Sequence, residues 1–145
     1  MTVTFCGHRS IEQSIQVSNW LRDIVRTLIL QGANTFLLGG YGAFDLLAAR
    51  VVRDLKAEFP SIESILVIAY LTTDNDPLLY DNTLYPPLEN VPFRYAISHR
   101  NRWMVEQSDI VVAFVKHSWG GAVTTLNYAK RKGKVIIEYS HTAIP

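Results

Sequence analysis

"TFLLGGYGAFDLLAAR", residues 35–50, runs from a short apolar stretch through Gly39, Gly40 and Gly42 into a helical pattern that begins near Ala43. The segment past the turn places Phe44, Leu47, Ala48, Val51 and Leu55 on one stripe, the spacing of a helix that faces a core. Strand, glycine turn and helix form the repeating unit of parallel α/β sheets, and the turn is where backbone can approach a phosphate.

The same alternation extends in both directions. Val3 to Cys6 reads as a first strand ending at Gly7. Ser10 with Gln13 three residues on is a capping-box pair, which predicts a helix start. That helix carries Val17, Trp20, Leu21, Ile24, Val25 and Leu28 on one face and stops at Gly32. On the other side, "SILVIAY" at 64–70 is a continuous apolar strand of the kind buried on both faces of a parallel sheet. A helix over about 98–107, the strand "DIVVAFV" at 109–115, a helix opened by Gly120 and Gly121 and ended by Gly133, and the strand "KVIIEY" complete the order. β-α-β-α-β-loop-α-β-α-β predicts a three-layer α/β sandwich with a largely parallel sheet, in a single domain spanning 1–145.

The exception to the rhythm is 71–92, which holds four prolines and two tyrosines without a clean period. A connection that long in a small domain is usually functional or mobile, which points to a lid or specificity role. Tyr80 and Tyr85 are then either stacking or hydroxyl contacts to a ligand, or residues that pack the loop onto the sheet.

Composition narrows the function classes. Hydrophobic residues make up 48% of the chain and charged residues 19%, the balance of an ordinary globular protein. A formal net charge of +1 argues against a broad nucleic-acid surface while leaving room for a local basic pocket. The apolar runs are too short to cross a bilayer, and "MTVTFCGHRS" lacks the pattern of a signal peptide, so no membrane association is expected. Cys6 is the one cysteine, read either as a small buried hydrophobe or as a reactive thiol; with no internal disulfide to form, a cytoplasmic setting is expected. His99, His117 and His141 show no metal-ligand spacing, and no pattern calls for a metal or a cofactor.

In an open parallel sheet, ligands sit beyond the carboxyl ends of the strands. Three glycine-bearing turns fall there: Gly7-His8-Arg9, Gly39-Gly40-Tyr41-Gly42 and "KHSWGG" ending in Gly120-Gly121. The second of these fails the dinucleotide fingerprint G-x-G-x-x-G, because Asp45 stands where the third glycine belongs and the turn follows the second strand rather than the first. No turn continues into the Lys-Ser or Lys-Thr of a Walker loop. Free amides at 41–44 are expected to take a phosphate, and Asp45 either balances the helix dipole or contacts a ligand hydroxyl. In "SHRNRWMVEQ", Arg100 and Asn101 near the helix start are candidates for phosphate and base or sugar recognition, whereas Trp103 and Met104 are either core or a base platform. Arg9 is the basic residue best placed for the crevice, and His8 offers a polar contact or a proton.

Together, "TFCGHR", "LLGGYGAFD", "YPPLENVPFRYAISHRNRWMVEQSDIVVAFV" and "SWGGAVTTLNYAKRKGK" resemble small bacterial members of the SLOG (Smf/DprA–LOG) superfamily, in particular its YpsA-like branch, over nearly the whole chain. The resemblance implies a Rossmann-like fold, a crevice for a nucleotide or a nucleotide-derived ligand, and a homodimer or higher homo-oligomer. It also implies a range of functions, from nucleotide sensing to N-glycosidic cleavage of nucleoside monophosphates in the LOG enzymes and single-stranded DNA binding in DprA-type relatives. Against the LOG motif P-G-G-x-G-T-x-x-E, this chain reads "WGGAVTTLN": Trp119 replaces the proline, Val123 the third glycine, and Asn127 the final glutamate, which belongs to the catalytic apparatus. An amide cannot serve as that carboxylate, so glycosidic chemistry would fall to Asp45 or Glu106. Thr124 and Thr125 are either phosphate or ribose contacts or helix-start residues. The sequence therefore predicts a nucleotide-binding sensor or sequestering module, with a LOG-like phosphoribohydrolase as the alternative.

Overall fold

The computed structural model describes residues 1–71, 76, 78–88 and 90–140. Six strands form one sheet: β1 (Thr2–Gly7), β2 (Thr35–Leu38), β3 (Glu63–Val67), β4 (Asn82–Leu84), β5 (Ile110–Phe114) and β6 (Val135–Glu138). Four helices connect them: α1 (Ser14–Leu30), α2 (Ala43–Lys56), α3 (Ala96–Gln107), which follows a 3-10 turn at Phe93–Tyr95, and α4 (Gly121–Arg131). Every strand pair is parallel, in the order β4-β3-β2-β1-β5-β6. This is the three-layer Rossmann-like sandwich that the alternation predicts.

Side-chain alternation along the central strands sorts the core into two faces. Val3 and Phe5 of β1, Phe36 and Leu38 of β2 and Val112 and Phe114 of β5 meet the buried stripes of α1 (Val17, Leu21, Val25, Leu28) and α2 (Phe44, Ala48, Val51, Val52, Leu55). The intervening Cys6, Val111 and Ala113 meet Val105 of α3 and Leu126 and Ala129 of α4, while Leu37 and Val67 meet Met104. Met104 is therefore core, with Trp103 packed beside it. Among the described residues, no helix is long and apolar enough to cross a membrane.

Two details differ from the sequence reading. Helix α1 begins at Ser14, with Gln13 as a cap that makes no side-chain bond, so Ser10 and Gln13 form no capping box. The carbonyls of His8 and Arg9 accept the amides of Phe44 (3.4 Å) and Ala43 (2.8 Å), and the helix cap falls three residues later, at Gln13. The second difference lies in 71–92, which contains a strand. β4 lies at the edge, its register Ile65↔Asn82 to Val67↔Leu84 fixed by Asp81, whose Oδ2 accepts the Ser64 amide at 2.8 Å. Residues 72–75, 77 and 89 of that segment, and His141, lie outside the described residues.

Candidate nucleotide crevice

The strand order reverses at β1, which has β2 on one side and β5 on the other. The loops leaving β1 and β5 run in opposite directions from that point and open a crevice between them. It holds a cavity of about 430 Å³, lined from the β1 turn by Gly7, His8, Arg9 and Ser10, from α3 by Ile97, Arg100 and Asn101, and from the start of α4 by Gly120, Gly121, Ala122 and Thr125. Cys6 and Asp45 also line it, with Tyr41, His117 and Trp119.

The glycine turn at 39–42 contributes in a different way from the one its composition predicts. The carbonyls of Arg9 and His8 accept the amides of Ala43 and Phe44, while the backbone of Gly39 and Tyr41 faces the Asp45 carboxylate. Within the 41–44 stretch expected to take a phosphate, the amides of Ala43 and Phe44 are therefore already engaged within the protein. The turn instead anchors the β1 loop and encloses a carboxylate. A Cβ on Gly39 would lie 2.9 Å from Asp45 Oδ2 and 3.1 Å from Arg100 Cζ, so only glycine fits above that pair. Gly39, Gly40 and Gly42, expected as ligand contacts, do not line the cavity.

The start of α4 is arranged in the opposite sense. Gly120 caps it at φ 100°, a conformation that suits glycine, and Thr124 accordingly donates its amide to the Gly120 carbonyl at 3.2 Å. Among the described residues, no acceptor takes the amides of Gly121, Ala122 or Val123. A Cβ built on Gly121 meets nothing within 4 Å. This helix N-terminus, with its partial positive charge, borders the cavity and is open to an anion.

Arg100 and Asp45 form the floor. Arg100 is only 4% exposed; its Nη1 donates to the carbonyls of Gly39 (2.8 Å) and Val67 (3.0 Å), and its Nε to Asn101 Oδ1 (2.9 Å). The guanidinium thereby ties the ends of β2 and β3 to α3. Burial lowers its pKa, opposed by Asp45, yet an arginine stays charged. With Oδ1 engaged, Asn101 has its amide NH₂ to offer a ligand. Burial pushes Asp45 up to about 6, against the attraction of Arg100 and of the Tyr41 and Gly39 backbone. A carboxyl in that range exchanges its proton near neutrality. Burial, then Asp45 and Glu138, raise the Cys6 thiol to about 12, which keeps it protonated and unreactive.

One wall is a ladder of rings. His8 stacks on His117 with centroids 3.7 Å apart, and His117 stacks on Trp119 at 3.8 Å. His8 Nε2 accepts the Lys116 amide at 2.7 Å, and burial, His117 and Lys116 all lower its pKa. Across the mouth, the Arg9 guanidinium lies 4.6 Å from the Tyr41 ring centre, without a carboxylate partner among the described residues.

Of the residues singled out in the sequence, Gly7, His8, Arg9, Asp45, Arg100, Asn101, Gly120, Gly121 and Thr125 therefore come together around one cavity. Thr124 bonds its hydroxyl to the Gly120 carbonyl at 3.2 Å and lies outside the lining. Glu106 is also outside it, at the far end of α3, where the Tyr128 hydroxyl donates to its carboxylate; the role of substitute catalytic carboxylate does not fit that position. Tyr80 packs against the core and Tyr85 is exposed, neither lining the cavity. His117, Trp119 and Tyr41 line the cavity as well, and "KHSW" directly before a glycine turn is the sequence signal for the first two.

No protein-family model matches the chain, and no curated protein matches it. Solved structures do. DNA processing protein A from Helicobacter pylori, described for a single-stranded DNA binding mode, superposes with a TM-score of 0.70 at 17% identity, over 99% of this chain and 66% of its own. DNA processing protein A (DprA) from Streptococcus pneumoniae gives 0.68 at 17%, over 99% of this chain and 51% of its own. The molybdenum cofactor carrier protein from Chlamydomonas reinhardtii gives 0.63 at 15%, over 94% and 75%. The chain thus spans two thirds or less of the two DNA processing proteins. At these identities the likeness is one of fold, the Rossmann-like sandwich described above.

Proposed function

We propose that the protein binds a nucleotide or nucleotide derivative in this crevice, as a sensor or sequestering module. The observation that carries the reading is the open N-terminus of α4, bordering the cavity at the point where strand order reverses. The phosphate takes the amides of Gly121 and Ala122, with Arg9 closing on it from the other lip. Asn101 and the ring wall face the sugar and base. Proteins of similar fold are described as binding single-stranded DNA and as carrying the molybdenum cofactor.

Calorimetric titration with AMP, GMP, inorganic phosphate and an oligothymidine strand tests the reading. Saturable binding of a mononucleotide supports it. Salt-sensitive binding of the oligonucleotide alone would place the protein with the DNA binders instead, and no binding of any of the four would remove the reading.

A second reading, cleavage of an N-glycosidic bond, is favoured by Asp45 alone, a carboxyl at the cavity raised to about 6. Such a group can donate or accept a proton near neutral pH. Free base released from a nucleoside monophosphate, abolished by Asp45→Asn, would establish it; intact nucleotide after prolonged incubation leaves the binding role.

A further inference from the structure

Trp119 is a large apolar side chain that folding does not account for: it is 69% exposed at the mouth of the cavity. It is nevertheless held in place. One indole face lies on His117, 3.8 Å between centroids and 20° from parallel, and His117 Nδ1 is 2.9 Å from the Trp119 carbonyl, a bond that locks the imidazole to the same turn. His117 in turn rests on His8 at 3.7 Å, and His8 is fixed by accepting the Lys116 amide and by the edge of Phe114 at 5.9 Å. Two stacked imidazoles, backed by the buried Phe114, support an indole whose remaining face is left to solvent.

Resting on the nucleotide reading, we propose that Trp119 is the platform on which the ligand's base stacks, so that the site selects a single nucleotide by its ring area and not by its base edge. Trp119 stands two residues before Gly121, and both line the same cavity, so platform and open amides face one ligand space. Every base offers a π face, so stacking tolerates base identity and grades with ring size. Purine mononucleotides therefore bind more tightly than pyrimidine ones, and ribose 5-phosphate binds through its phosphate alone. His117 is a positioning residue, acting through the indole it supports.

The test measures the affinity of the wild-type protein, Trp119→Ala, Trp119→Phe and His117→Ala for AMP, CMP and ribose 5-phosphate. Trp119→Ala weakens AMP about tenfold to a hundredfold while leaving ribose 5-phosphate unchanged, and Trp119→Phe recovers most of the loss. His117→Ala lowers the ratio of AMP to ribose 5-phosphate affinity, which a change in overall folding would not do. AMP affinity unaltered by Trp119→Ala overturns the platform but leaves the nucleotide reading standing, and so does equal weakening of AMP and ribose 5-phosphate. Failure of the wild-type protein to bind any of the three removes both.

Discussion

Replacing Asp45 with asparagine changes one titrating group and leaves every other in place. In the folded protein this carboxyl is raised from 3.8 to about 6, chiefly by burial. Two units at about 1.36 kcal/mol each amount to about 3 kcal/mol in favour of the protonated form. A folded-state pKa above the unfolded value means that the native protein holds this proton more tightly. The stabilisation is complete below about pH 3.8 and is lost as pH rises through about 6. Urea denaturation of both proteins at intervals from pH 4 to 8 gives the difference in stability, from which the titrations they share cancel. Wild type minus Asp45→Asn should fall by about 3 kcal/mol across that range, with most of the change between pH 4 and 6.5. A difference that stays level, or that grows with pH, would refute the enclosed carboxylate and the arrangement of Gly39 and Arg100 around it.

Other substitutions separate structure from binding. Gly121→Ala adds a methyl group where nothing lies within 4 Å, so thermal and urea melts should show stability unchanged or raised by about 0.5–1 kcal/mol. Calorimetry should show weaker mononucleotide binding by the same variant, because the methyl group stands beside the open amides. Gly39→Ala forces its Cβ against Asp45 and Arg100 and should cost about 1–3 kcal/mol in urea denaturation. Arg100→Met leaves the carbonyls of Gly39 and Val67 without that donor and Asp45 without its counter-charge, at a cost of about 3–5 kcal/mol at neutral pH, and the variant should recover part of that loss on acidification as Asp45 takes up its proton.

The fold was legible because its signals are local and periodic. The stripes of α1 and α2 and the apolar runs of β3 and β5 each announce their element and its buried face. β4 was not, since three residues, "NTL", at an edge carry too little pattern, and what holds them is Asp81 bonded to Ser64 across 17 residues of sequence. The convergence of three turns on one cavity followed from parallel strands alone. What each turn does there did not follow. Gly39 to Gly42 and Gly120-Gly121 look alike as sequence, yet the helix start after the first turn has its amides engaged by the His8–Arg9 backbone while that after the second stays open. That difference depends on Phe44 docking under the β1 loop, which leaves no mark in composition. The ring wall was equally hidden, because His8 and Trp119 meet through His117 across more than a hundred residues.

The most direct measurement is amide chemical-shift perturbation on titrating the ¹⁵N-labelled protein with AMP. Binding at the crevice predicts saturable shifts led by Gly121 and Ala122, with Ala43 and Phe44 moving little because their amides are already bonded. Saturable shifts centred on 39–44, or none at Gly121 and Ala122 under saturation, would contradict it.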